Sequence, residues 1–473
     1  MKRSRIALVV TLVFVLVPAS VEAKTGEIAR STYILIASDE NRLPAGLAEQ
    51  VDARAGSITY ALPEIGVAIV TSADAGFAAS ASSIAGVRSV IPDVAIAPEP
   101  EAGSALVENP PTSGDDDRFF DMQWALDAID AAEAWATGAR GKGARVAVLD
   151  SGIDVDHPDL APNLNLDLSR SFIPGLPVAA PPTGPPPFTA PPHHGTWVAG
   201  IIAAADNGIG TIGVAPEAEL VALRVCPDSA LGCPYSAILA ALAYAAQIDT
   251  DVINISLGAT LSRRGFVDAD GTYVRAADVA ALIVARTRAF EFAHRKGATI
   301  VAGTGNQARD LDADKDAVQL SAQLPHVIAV SATGPRGWGS DPSTNLDLPA
   351  CYSNYGKSVV DFAAPGGNVD CNRPFPPPPP YTFCKVVITL PCFAFDTVVG
   401  PTINGWTVSF GTSAATPHVA GVAALVIGGH GGQMNPDAVE AVLRASADDL
   451  GKPGVDDFYG SGRVNAARAV GAS

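Results

Sequence analysis

The chain has 473 residues, enough for two or three domains, and at 48% hydrophobic and 17% charged it can bury a large core. Its 49 acidic and 31 basic residues leave a formal net charge of −18, which argues against nucleic acid or an anionic membrane as a partner. Charge alone does not identify a substrate.

Lys2, Arg3 and Arg5 precede an apolar stretch from Ile6 to Val17 that closes on Val-Glu-Ala at 21–23. This pattern predicts a secretory signal peptide over 1–23, removed after Ala23, and is too short and wrongly flanked for a spanning helix. No other stretch is expected to span a bilayer, and no Cys precedes Cys226 to carry a lipid anchor.

Residues 24–99 read as a self-contained α+β unit. Strands are expected at 31–37, 58–62, 66–70 and 87–96, with helices at 43–55 and 75–87, in β-α-β-β-α-β order. Residues 100–117 are rich in Pro, Ser and acids and lack periodicity, which predicts an exposed linker.

From about 118 the pattern changes. Apolar runs of strand length fall at 145–150, 220–225, 252–257, 298–303, 327–332 and 359–365, and helix-like segments at 195–205, 236–247 and 279–296 lie between several of them. Continuous apolar strands alternating with helices predict an α/β fold, a mostly parallel sheet covered by helices on both faces. Ligands in such sheets bind at the carboxyl ends of the strands. Two Pro-rich insertions, 173–192 and 371–392 (the latter holding "RPFPPPPPY"), are expected to be surface polyproline II loops. The six cysteines of an exported chain suggest disulfides. Cys226 and Cys233 flank a short loop and are expected to pair; Cys351, Cys371, Cys384 and Cys392 allow three pairings.

Four polar residues stand at strand ends or helix starts of this sheet. Asp150 closes the run "RVAVLD"; His194 precedes Gly-Thr and an apolar helix; Asn306 follows a strand in a Gly-rich turn; Ser413 opens the helix of "GTSAATPHVAG". Each alone is an ordinary cap or turn residue, and Ser413 followed by Pro417 reads as a plain helix start. Together they supply a nucleophile, a base, a carboxylate to hold the base, and an amide for an oxyanion. The chain order is Asp, His, Ser, and the G-x-S-x-G elbow of α/β-hydrolases is absent.

With "DSGIDVDHPDL", "HGTWVAG" and "GTSAATPHVAG" in this order, residues 115–473 resemble the subtilisin-like serine peptidases, the subtilases; "VINISLG", "GNQ", "YSNYGKSVVDFAAPG" and "GRVNAARAV" stand where that family has its other landmarks. The resemblance implies Ser413 as nucleophile, His194 as base, Asp150 as orienting carboxylate and Asn306 as oxyanion donor, with His193 a loop residue. Where the family often has His after Gly-Thr and Met after the Ser, this chain has Trp197 and Ala414. The resemblance also implies a primary substrate pocket walled by Ser256, Leu257 and Gly258 and by Gly303, Thr304 and Gly305. No carboxylate stands in either segment, which argues against a preference for basic side chains, and Thr304 is expected to narrow the pocket. A structural calcium ion is implied at Asp117, Asp159 and Asn207, hard oxygen donors of the kind calcium takes. The unit and linker at 24–110 resemble the family's propeptide, which would inhibit and be cut from the catalytic domain, 111–473, by that domain itself. No appended C-terminal domain is expected. The expected protein is thus a secreted, monomeric endopeptidase acting on proteins or peptides. The rivals are an exported binding protein of the same fold, which a missing catalytic residue would mark, and an esterase or lipase, whose elbow and residue order are absent.

Overall fold

The computed structural model describes residues 31–96, 104–106, 116–180, 193–227, 232–268, 271–373, 375–377 and 380–472. The expected signal peptide, most of the linker and residues 181–192 of the first Pro-rich insertion lie outside them.

The first unit contains β1 (Ser31–Ala37), α1 (Leu47–Asp52), β2 (Gly56–Leu62), β3 (Val67–Ser72), α2 (Phe77–Ala81) and β4 (Val87–Pro92). The strands form an antiparallel sheet in the order β2-β3-β1-β4, a ferredoxin-like arrangement. The run Tyr33–Ala37 is buried without alternation because both faces of the sheet are covered. Tyr33 and Leu35 pack with Leu47, Val51 and Phe77 of the unit's own helices. Ile34 and Ile36 face the other way and join the core of the larger unit.

The strand expected over 87–96 is broken at Asp93 and Val94. Ala95–Ile96 leaves the first sheet and pairs antiparallel with Cys233–Pro234. The break is useful locally: the Asp93 carboxylate accepts from Ser236 N at 3.0 Å and from the Ser236 hydroxyl, capping the helix that starts there.

The larger unit contains β5 (Arg145–Asp150), β6 (Arg170–Ser171), α3 (His194–Ala203), β7 (Glu219–Arg224), α4 (Tyr235–Gln247), β8 (Val252–Ile255), α5 (Ala276–Arg295), β9 (Thr299–Gly303), β10 (Val327–Thr333), β11 (Phe362–Pro365) and α6 (Thr412–Gly429). Seven parallel strands lie in the order β11-β10-β9-β8-β5-β7-β6. On one face Val146, Val148, Val301 and Val330 pack with Trp197, Val198, Val419 and Leu425 of α3 and α6. On the other, Ala147, Leu149, Val221 and Ile253 pack with Leu239, Leu242 and Phe290 of α4 and α5. The first unit closes over α4 and α5, so these two helices lie between the two sheets; Arg288 Nη1 donates to Ala37 O at 3.0 Å across this contact.

Contrary to the expectation that no stretch is long and apolar enough to span a bilayer, α6 passes by length and composition, but it is enclosed in the protein. Cys226 pairs with Cys233, and the open pairing resolves to Cys351–Cys371 and Cys384–Cys392. The second Pro-rich insertion is more than a polyproline loop: Phe383–Lys385 and Thr389–Pro391 form a short antiparallel hairpin beside the Cys384–Cys392 bond.

Candidate active site

Asp150, His194, Asn306, Ser413 and the two segments 256–258 and 303–305 lie at the carboxyl edge of the seven-stranded sheet. Asp150 ends β5, His194 opens α3, Ser256–Gly258 follow β8, Gly303 ends β9 with Thr304–Asn306 after it, and Ser413 is the second residue of α6. His193 precedes α3 in extended backbone.

His194 Nδ1 lies 2.7 Å from Asp150 Oδ1 and 2.9 Å from Oδ2. Asp150 is 1% exposed, and its Oδ1 also accepts from Ser151 N at 2.7 Å. Gly195 allows this approach, because a Cβ there would meet Ser151 O at 2.8 Å. The contact selects the imidazole tautomer with hydrogen on Nδ1 and leaves Nε2 as the basic nitrogen.

Ser413 does not cap its helix; Gly411 stands at that position, and the chain is already helical at Thr412. Pro417 lies inside α6, a turn later than a first-turn proline. It has no N–H to give the carbonyl four residues back, which is that of Ser413. The Ser256 hydroxyl takes its place, donating to Ser413 O at 3.0 Å, while Asn254 Nδ2 donates to that hydroxyl at 3.0 Å. The Ser413 hydroxyl in turn donates to Ser256 O at 3.2 Å. Asn306 Oδ1 accepts from Thr412 N at 2.9 Å and from Thr412 Oγ1 at 3.0 Å, which turns the amide nitrogen to the opposite side. A helix start, with its unsatisfied N–H groups, and an amide are thereby gathered at the serine.

The segment Gly303–Gly305 and the turn after it are held from behind by Asn354, which the sequence shows only as part of the longer landmark "YSNYGKSVVDFAAPG". Its Nδ2 donates to Thr304 O at 2.8 Å, and its Oδ1 accepts from Gln307 N and Arg309 N. The Thr304 hydroxyl donates to Asn354 O at 3.1 Å. Gly305 N donates to Thr412 Oγ1 at 3.2 Å. The Cys233–Pro234 edge, which receives Ala95–Ile96, carries no sequence signal beyond its disulfide loop.

Asp117, Asp159 and Asn207 meet around the loop 205–211. Asp117 Oδ1 accepts from Asn207 N at 3.4 Å and Ile209 N at 3.1 Å. Asp159 is fully buried; its Oδ2 accepts from Thr211 N at 2.9 Å and Trp406 Nε1 at 2.7 Å, while Oδ1 accepts no hydrogen bond among the described residues. Asp116 and Asp206, not anticipated from sequence, bring their carboxylates within 4.8 Å of that of Asp117.

A profile described as the subtilase family matches residues 141–462. The chain is 32% identical over 358 residues to subtilisin Savinase from Lederbergia lenta, covering 74% of this chain and 98% of that one. It is 30% identical over 356 residues to thermitase from Thermoactinomyces vulgaris, covering 75% and 98%. Among solved structures it is similar to the epidermin leader peptide processing serine protease of Staphylococcus aureus, with a TM-score of 0.68 over 93% of this chain and 98% of that chain. At 20% identity that likeness is one of fold.

Proposed function

The chain belongs to the subtilase family and is a serine-type endopeptidase, and we propose that it is a secreted, self-processed enzyme that cleaves through an acyl-enzyme at Ser413. The observation that carries the reading is the two-oxygen grip of Asp150 on His194 Nδ1. A base held in one tautomer presents Nε2 as its basic nitrogen, which would take the proton from the Ser413 hydroxyl as Oγ attacks the scissile carbonyl. The hydroxyl now donating to Ser256 O would donate to Nε2 at that moment. Negative charge then develops on the carbonyl oxygen, where the Asn306 amide and the Ser413 N–H can receive it. His194 returns the proton to the leaving amine, and water, activated by the same base, releases the acyl group. Protein or peptide substrates would run between the segments Ser256–Gly258 and Gly303–Gly305.

The unit from 31 to 96 is suited to act as an intramolecular inhibitor. It covers α4 and α5, and its last segment adds a strand to Cys233–Pro234. The donor set at Asp117, Asp159 and Asn207 fits calcium: a buried carboxylate oxygen of Asp159 has no donor, and every candidate ligand is a hard oxygen. These residues would hold the ion, which would brace the loop 205–211 and take no part in peptide cleavage. Export follows from the expected signal peptide, and a monomer suffices for the site.

The test is Ser413→Ala. It should abolish hydrolysis of a denatured protein substrate and labelling by a fluorophosphonate. Purified free of other proteases, it should persist as the precursor 24–473, while the parent matures to a form beginning between 101 and 117. N-terminal sequencing of both decides the matter; processing of pure Ser413→Ala in that window would assign the cut to another enzyme. A binding protein of this fold would show neither turnover nor labelling in the parent.

A further inference from the structure

The second Pro-rich insertion is fastened at both ends beside the nucleophile. At its start Cys371 is joined to Cys351, whose neighbour Tyr352 donates to Gly366 O at 2.9 Å and to Gly367 O at 2.8 Å. Just past its end the Asp396 carboxylate accepts from Gly337 N at 2.9 Å and Trp338 N at 2.8 Å. Between these anchors the Cys384–Cys392 bond closes the hairpin of Phe383–Lys385 and Thr389–Pro391. A loop ordered in advance loses less conformational freedom when something binds to it.

The insertion carries a connected run of aromatic rings that starts next to Ser413. Phe410 precedes the nucleophile by three residues. It meets Phe375 edge to face, with 4.8 Å between ring centres. Phe375 meets Phe393 at 5.4 Å, Phe393 meets Tyr381 at 5.7 Å, and Tyr381 meets Phe383 at 6.3 Å, all edge to face. The first four rings are half-buried, and Phe383 at the outer end is 60% exposed. A single exposed ring is ordinary on a protein surface, but this one ends a strip that leads to the catalytic serine. Backbone pairing gives the direction in which a polypeptide crosses the site. Ala95–Ile96 lies on Cys233–Pro234, between β7 and α4; Ser104–Leu106, later in the chain, lies on Trp406–Val408, which runs on to Phe410. A substrate laid down in that direction has its acyl half on the β7 side and its leaving half on the side of Phe410.

We propose that this insertion is an exosite for the leaving-group side of a polypeptide substrate, where Tyr381 and Phe383 receive an aromatic side chain well beyond the scissile bond. The proposal rests on the peptidase reading above. A substrate ring laid on Phe383 removes exposed apolar surface from water and adds one more edge-to-face contact to the strip. The four ring-to-ring links limit the reach from Phe410 to Phe383 to about seven residues of extended chain. The exosite therefore favours long polypeptides with an aromatic residue downstream of the cut over short peptides that end near it.

The experiment uses internally quenched peptides with one shared acyl half and a long leaving half of Ser and Ala, in which Phe replaces Ala at one position at a time. Mature enzyme is titrated with a fluorophosphonate to count working sites, and kcat/KM with Phe is divided by kcat/KM with Ala at each position. The parent should show a gain of about fivefold at one or two adjacent positions, the fourth or later after the scissile bond. Phe383→Ser should erase the gain at those positions, and Phe383→Trp should keep it. A titratable parent with no gain at any such position overturns the proposal while leaving the peptidase reading intact, and this holds even if Phe383→Ser fails to fold. A titratable Phe383→Ser that keeps the parent's gain overturns it as well. A parent that is neither titrated nor active on any peptide overturns both.

Discussion

His418 lies in the second turn of α6, fully enclosed, with Nδ1 2.7 Å from Ala414 O. Burial pushes its pKa down from 6.5 to about 4, opposed by hydrogen bonds to backbone carbonyls. The folded protein therefore holds it neutral at pH values where the unfolded chain is protonated. The stability this supplies is complete above about pH 6.5 and is lost as pH falls towards 4, on the order of 3 kcal/mol in all. Urea unfolding in a Ser413→Ala background, which prevents autolysis, should show a smaller loss between pH 7 and pH 4.5 for His418→Asn than for its parent. Equal losses would place the acid sensitivity elsewhere. Asn306 makes a second prediction at this scale. Its Oδ1 is held by Thr412, so the role left to the amide nitrogen is donation. Asn306→Leu should lower kcat by about 10²–10³-fold, the cost typical of losing one oxyanion donor, with little change in KM. A near-normal kcat would remove Asn306 from that role.

At the scale of the element, α6 shows how a helix start is kept in place for chemistry. Pro417 takes one hydrogen bond from the first turn, and Ser256, from the segment after β8, supplies its replacement. The Ser413 carbonyl is thereby tied to the segment after β8. Ser256→Ala leaves that buried carbonyl without a donor from either Ser256 or residue 417. The expected cost is about 1–3 kcal/mol of stability. It is measured by urea unfolding in the Ser413→Ala background; a loss well below that range would mean that the carbonyl finds another donor. The first unit follows the same logic in β1, whose unbroken apolar run reflects a sheet covered twice, by its own helices and by α4 and α5.

At the scale of the whole molecule, a net charge of −18 makes concentrated acidic clusters costly unless a cation sits among them. The loop 205–211 gathers Asp117, Asp159 and Asn207, with Asp116 and Asp206 close by. A cation bound only by the folded state stabilises it by mass action. Chelator should therefore lower the melting temperature of the mature protein, and Asp159→Asn should remove most of that sensitivity. Identical melting curves with and without chelator would rule out a stabilising calcium ion at this loop.

What the sequence determined by itself is local. Asp150, His194, Asn306 and Ser413 stand where strands end or helices begin, and apolar periodicity marks those boundaries because burial on a sheet demands it. The parallel sheet and the small β-α-β-β-α-β unit were legible for the same reason. Other features needed tertiary structure, because they depend on which distant segments become neighbours. At the break after β4 the Asp93 carboxylate meets the start of α4, a partner distant in sequence. The pairing of Cys351 with Cys371 follows from where the second insertion folds back. Gln319 carries no motif; antiparallel pairing with Thr260 puts its amide against Gly258. A side chain's chemistry is written in the sequence, but whether its donor or acceptor is met depends on the atoms packed around it, and those come from the whole fold.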